Sequence, residues 1–186
     1  MKKISSLILV IFITIISTTC FAFPNEPNGF RNLYWGETLQ KVQQNYTTKY
    51  LNYYAPENSV MYTIPLTDKN ISGVYSNDNV ITLAFWNNQL YSIAIDFPEI
   101  TIEQSTETYK KLISSLSIAF GQPSIYNVYS LEYHQNCTMW SGDNSSILLA
   151  QTMIVNPYTN KYSTILMIRS TSLEKAALTD GATKGW

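Results

Sequence analysis

Two runs of strand-forming residues, Val80 to Trp86 and Gln89 to Phe97, flank the dipeptide Asn87-Asn88. Asparagine tolerates the positive φ that both central positions of a tight hairpin turn demand. In the second run Tyr91, Ile93, Ile95 and Phe97 alternate with Ser92, Ala94 and Asp96. Period-two alternation marks a strand with one buried face and one wetter face. A hairpin of this kind needs more antiparallel strands beside it and an apolar cover on one side.

The cover follows directly. Thr101 and Gln104 stand in the spacing of a capping box, which satisfies the first free N–H groups of a helix. Tyr109, Leu112, Ile113, Leu116 and Phe120 then recur every three or four residues as one apolar stripe. Gly121 supplies a stop and Pro123 forbids continuation. A shorter helix is expected earlier, Thr38 to Tyr46, with Thr38 as cap and Leu39, Val42 and Tyr46 on one side. Further strands are expected at Val60 to Ile64, Tyr126 to Tyr133, Cys137 to Trp140, Ser145 to Val155 and Tyr162 to Arg169. Asn156 to Asn160 reads as the loop between the last two. A closing helix from Thr171, with Glu174 completing a second capping box, is expected to end near Thr179. The order of elements predicts an α+β domain, an antiparallel sheet with helices packed on one face, built on a duplicated helix-plus-strands unit.

The start of the chain carries an address. Met1-Lys2-Lys3 is basic, Leu7 to Ile16 is apolar, and Ser17 to Ala22 is small and polar apart from Phe21. That order is the order of a secretory signal peptide. A membrane-spanning helix needs about 20 apolar residues, and this run is shorter. The expected division is a signal peptide over 1–22, an extended leader over 23–29, one domain over 30–179 and a flexible tail over 180–186. Cleavage after Ala22 is expected. A lipid anchor on Cys20 is the alternative, although Ser17-Thr18-Thr19 lacks the apolar residue that usually stands three positions before a lipidated cysteine.

Charge and cysteine usage narrow the chemistry. The chain has 12 basic and 13 acidic residues. Without Lys2 and Lys3 the balance is 10 against 13, and the only adjacent basic pair is Lys110-Lys111. A nucleic-acid or anionic-membrane partner would require a basic stripe, so neither is expected. Of the two cysteines, only Cys137 follows the expected cut, so no internal disulfide can brace the exported domain.

No cofactor, metal or catalytic site is expected. His134 is the only histidine, too few for a transition-metal site with Cys137 alone. On one strand, His134 and Cys137 would point to opposite faces, which opposes a nucleophile–base pair. Asp96, Glu99, Glu103 and Glu107 are close in sequence, but acids near a helix start already favour the helix dipole. Ser141-Gly142-Asp143-Asn144-Ser145 is a turn with a single acid, not a calcium loop. The 14 tyrosines and 4 tryptophans suit a sheet core, and could also line a glycan- or peptide-binding face.

The stretch Gly29-Phe30-Arg31-Asn32-Leu33-Tyr34-Trp35-Gly36-Glu37-Thr38 resembles the opening of a broad group of uncharacterised bacterial envelope proteins. Their mature domain starts Phe-Arg-Gly-x-x-Trp-Gly-x-Ser/Thr and continues into a helix; Asn32 stands here where that pattern has Gly. Phe85 to Leu90, the helix ending in Gly121-x-Pro123, and Trp140 before Ile147-Leu148-Leu149 are similar to later parts of the same group. The resemblance implies an extracytoplasmic, periplasmic or secreted location and a fold, and no chemistry. At the level of fold alone the chain also resembles small outer-membrane assembly lipoproteins. The expected function is a non-enzymatic exported domain binding an envelope protein or glycan through a sheet face or a sheet edge. The alternatives are an envelope-polymer hydrolase using carboxylates and a component of outer-membrane assembly.

Overall fold

The computed structural model describes residues 23–51, 58–130, 135–156 and 159–183; the expected signal segment 1–22 and His134 lie outside the described residues. The elements in chain order are β1 (Gly29–Phe30), β2 (Leu33–Tyr34), α1 (Leu39–Asn45), β3 (Lys49–Leu51), β4 (Ser59–Pro65), β5 (Asn70–Ile71), β6 (Val74–Tyr75), β7 (Val80–Trp86) and β8 (Gln89–Glu99). Then come α2 (Ile102–Phe120), β9 (Ile125–Ser130), β10 (Gln135–Ser141), β11 (Ser145–Asn156), β12 (Thr159–Ser170) and α3 (Thr171–Thr183).

The fold is α+β, dominated by an eight-stranded antiparallel sheet in the order β3-β4-β7-β8-β12-β11-β10-β9. Each half of that order is a helix followed by a four-strand meander, α1 with β3, β4, β7 and β8, then α2 with β9 to β12. The last strand of each half meets the other at the centre, with Ser92 opposite Arg169 and Glu99 opposite Tyr162. The β5–β6 hairpin is an insertion in the first half.

The central hairpin forms where the sequence places it. Asn87 and Asn88 take φ of 46° and 61°, the left-handed pair that a two-residue turn requires. The alternation, however, shifts by one residue near the turn. Phe85 pairs with Leu90 and Ala84 with Ser92, so β8 bulges at Tyr91. Leu90, Ile93, Ile95 and Phe97 therefore join the main core, while Tyr91 faces the other side beside Arg169 and Glu174.

Helix α2 is capped as expected. Thr101 Oγ1 accepts from the Gln104 N–H, and Gln104 Oε1 accepts from the Thr101 N–H. Gly121, at φ 82°, ends the helix. Tyr109, Leu112 and Leu116 are buried against the sheet, and Ile113 and Phe120 flank them. Each fully buried side chain of this size contributes about 1.5–3 kcal/mol over leaving it in water. The core they cover includes Leu83, Phe85, Ile93, Ile95, Ile147, Leu149 and Trp140. Trp140 is fully buried because its one polar atom is satisfied: Nε1 donates to Gly121 O at 2.8 Å.

Helix α1 and α2 lie over this core, while α3 meets residues of the opposite face. Glu174 pairs with Arg169, and Asp180 accepts from Trp86 Nε1 at 3.3 Å and Asn58 Nδ2 at 2.7 Å. Two expectations for α3 are corrected. Glu174 is not half of a capping box on Thr171, because Arg169 holds its carboxylate and Thr171 N–H donates to Asn144 O. The expected tail begins inside the helix, which runs on to Thr183 with Gly181 buried. The loop expected over 156–160 is also narrower, since Asn156 pairs with Thr159.

Candidate functional site

The two ends of the large sheet are unlike. At one end β3 carries Lys49. At the other, β9 is six residues long, Ile125-Tyr-Asn-Val-Tyr-Ser130, with no charged residue. An edge strand presents a row of backbone N–H and C=O groups that no neighbour uses, and charges, very short strands and β-bulges are among the usual protections. Strand β3 carries a charge, whereas the described part of β9 carries none and has an irregularity in its pairing with β10 instead.

Side chains at the β9 edge are apolar and exposed. Ile125 is 40% exposed, Tyr126 64% and Val128 54%. Opposed residues of an antiparallel ladder project to the same side. Val128 opposes Cys137 and Ile125 opposes Met139. Ile125 and Val128 thus continue the smaller apolar cluster of Cys137, Leu148 and Ala150, which Met139 and Met167 flank on the sheet face away from α2. The result is an apolar strip that starts among buried residues and ends at the outermost of the described strands.

The ladder between β9 and β10 is irregular between Cys137 and Met139. Asn127 sits there with φ 45°, and its N–H donates to Thr138 Oγ1 at 2.9 Å. Thr138 Oγ1 also meets Tyr109 Oη at 2.8 Å, inside the core. Burial pushes the Tyr109 phenol above its usual pKa, against the opposing pull of the Thr138 hydrogen bond. A side chain of the long helix therefore fixes the bulge of the edge strand through one intervening hydroxyl.

The four carboxylates singled out in the sequence do not form one cluster. Asp96 and Glu99 are three residues apart on β8 and point to opposite faces. Glu99 accepts from Thr108 Oγ1 at 2.8 Å. Glu103 and Glu107 line a shallow depression on α2 with Ile102, Thr106 and Lys110, and Glu107 pairs with Lys111 at 2.7 Å. Asp96 is the acid that the sequence did not mark out from the rest. Burial raises its pKa and nearby Asp78 raises it further, while the hydrogen bond from Ser163 Oγ opposes them. Cys137 is buried in β10. Among the described residues, no group of three or more His, Cys, Asp or Glu side chains is placed to hold a metal ion. Among them, too, no helix is long and apolar enough to cross a membrane.

The opening motif is committed to the scaffold. Arg31, between β1 and β2, donates to Asp68 O at 2.8 Å, pairs with the Asp68 carboxylate at 3.2 Å and covers the Phe30 ring. Trp35 Nε1 donates to Pro27 O at 3.1 Å. Gly36 N–H and Glu37 O both bond to Leu90 at 2.9 Å, and Asn88 Oδ1 accepts the Leu39 N–H at the start of α1. These residues tie the first helix to the central hairpin.

No protein-family model matches the chain, and comparisons with curated proteins and with solved structures give no significant match.

Proposed function

We propose that this chain is an exported, non-enzymatic domain of the bacterial envelope that binds a protein partner by strand addition at β9. The observation that carries the reading is the six-residue uncharged edge with Ile125, Tyr126 and Val128 exposed beside it. Main-chain hydrogen bonds supply affinity in strand addition, and pockets for alternate side chains supply selectivity. The apolar strip from Cys137 and Met139 out to Val128 would receive one side of such a strand. The reading of 1–22 as an export signal supports an encounter outside the cytoplasm.

Capture of envelope proteins on immobilised purified protein tests the reading, with bound proteins identified by mass spectrometry. Val128→Lys puts a charge on the edge, the device by which natural edges refuse partners. Ile118→Lys is the control, because Ile118 is 85% exposed on α2, away from the edge. The expected outcome is a set of proteins captured by the parent and by Ile118→Lys and lost with Val128→Lys. An identical set on all three would remove the edge from consideration.

A further inference from the structure

Residues 23–27 are held along their length by the folded domain, and Phe23 is the residue that the expected cut would expose. Phe23 is 5% exposed and packs edge-on against Phe120 with ring centroids 5.8 Å apart. Pro24 lies against Gly121, where a Cβ would stand 3.1 Å from the Pro24 ring. Asn25 Nδ2 donates to Ala119 O at 3.2 Å, near the C-terminus of α2. The Glu26 carboxylate accepts the backbone N–H groups of Asp143, Asn144 and Ser145 at 2.9, 2.6 and 3.1 Å. A Cβ at Gly142 would lie 2.3 Å from the Glu26 carboxyl carbon, so a glycine there leaves the carboxylate its place. Pro27 O takes the Trp35 indole N–H.

A protease needs several residues on both sides of the scissile bond in reach and free of other contacts, so susceptibility is decided by local burial and hydrogen bonding. The residue after the Ala22–Phe23 bond is buried, and the next four are each in contact with the domain. Cleavage of the docked chain would require residues 23–27 to peel away first.

We infer that removal of residues 1–22 precedes docking of residues 23–27, so that folding closes the cleavage site. The inference rests on the reading of 1–22 as a signal peptide cut after Ala22. The reaction is hydrolysis: water adds across the Ala22–Phe23 peptide bond, the C–N bond breaks, Ala22 leaves with a carboxylate and Phe23 keeps the amine. The reaction consumes water alone, so the order is set by access to the bond.

The test uses the full chain, 1–186, in mild detergent with a purified bacterial signal peptidase, and intact mass identifies the products. Folding is verified by circular dichroism. Three forms are compared with the parent: Leu112→Asp, which cannot complete the core, and the folded variants Gly142→Ala and Glu26→Gln, which loosen the Glu26 contact. The expected result is rapid cutting of Leu112→Asp at the 22–23 bond and slow cutting of the folded parent. The two loosened variants should be cut about ten-fold or more faster than the parent, because cleavage through a transient opening follows the population of the open form. Cutting of the folded parent as fast as Leu112→Asp overturns the order of events. Absence of cutting at that bond in Leu112→Asp overturns the signal reading itself, and the inference with it.

Discussion

Tyr109 on the long helix and Thr138 on β10 meet phenol to hydroxyl at 2.8 Å, both buried, and the same Thr138 oxygen accepts the N–H of Asn127 on the edge strand. One hydroxyl thus serves the core and the bulge together. Tyr109→Phe should cost about 0.5–1.5 kcal/mol, the net worth of one hydrogen bond, because Thr138 keeps its second partner. Thr138→Val should cost more, by about 1–3 kcal/mol, since it leaves a buried phenol and a backbone N–H without a partner. Denaturant titration of both single variants and the double variant measures the coupling. Independent, additive effects would mean that the shared hydroxyl does not link the two elements.

The stripe of α2 has an inner and an outer face that one pair of substitutions separates. Leu116 is 3% exposed and Ile118 is 85% exposed. Leu116→Ala should destabilise by about 2–5 kcal/mol, the range for truncating a large core side chain. Ile118→Ala should stay within about 0.5 kcal/mol of the parent. Equal losses in denaturant titration would mean that the helix is rotated from the orientation described.

Local chemistry was legible in the sequence, and partners far apart in the chain were not. Thr101 with Gln104, Gly121, and Asn87 with Asn88 act over three or four residues, and each does what its type and spacing predict. The β8 bulge was hidden because Tyr91 continues an alternating pattern perfectly well; only the pairing with β7 shows the slip. Glu174 has capping-box spacing, yet Arg169, brought close by the end of β12, binds the carboxylate more strongly than a backbone N–H would. Glu26 gave no signal at all. Its three N–H partners lie more than a hundred residues away in a turn that composition alone could only call a turn. The β9 edge was one strand among several until the order of the sheet put it outermost.

Cys137 provides a probe of the strip behind the edge. It is 6% exposed, opposite Val128. In folded protein a small alkylating reagent should modify it far more slowly than in denaturant, because the thiol must first be uncovered. Cys137→Ser should destabilise by about 1–3 kcal/mol by placing a hydroxyl in an apolar cluster, whereas Cys137→Ala should cost less. Binding of a strand at β9 should slow the alkylation further. Alkylation at the denatured rate in folded protein would show that the strip is open.

Asp96 carries the opposite kind of question, because the fold keeps a carboxylate where ionisation is unfavourable. Burial and Asp78 raise its pKa above the ordinary 3.8, and Ser163 only partly opposes them. A raised folded pKa means that the native state binds the proton more tightly than the unfolded chain. Stability should therefore fall as pH rises from the unfolded value through the folded one, and the penalty persists at neutral pH. Asp96→Asn keeps an oxygen to accept from Ser163 Oγ and removes the charge. The variant should melt at a higher temperature than the parent at pH 7, and the gap should close in acid, where the parent carboxyl is protonated in both states. Melting curves of both proteins across pH 3 to 8 measure this directly. A variant less stable than the parent at neutral pH would mean that the hydrogen bonds the carboxylate accepts from Ser163 and from the Phe97 N–H outweigh the cost of burying its charge.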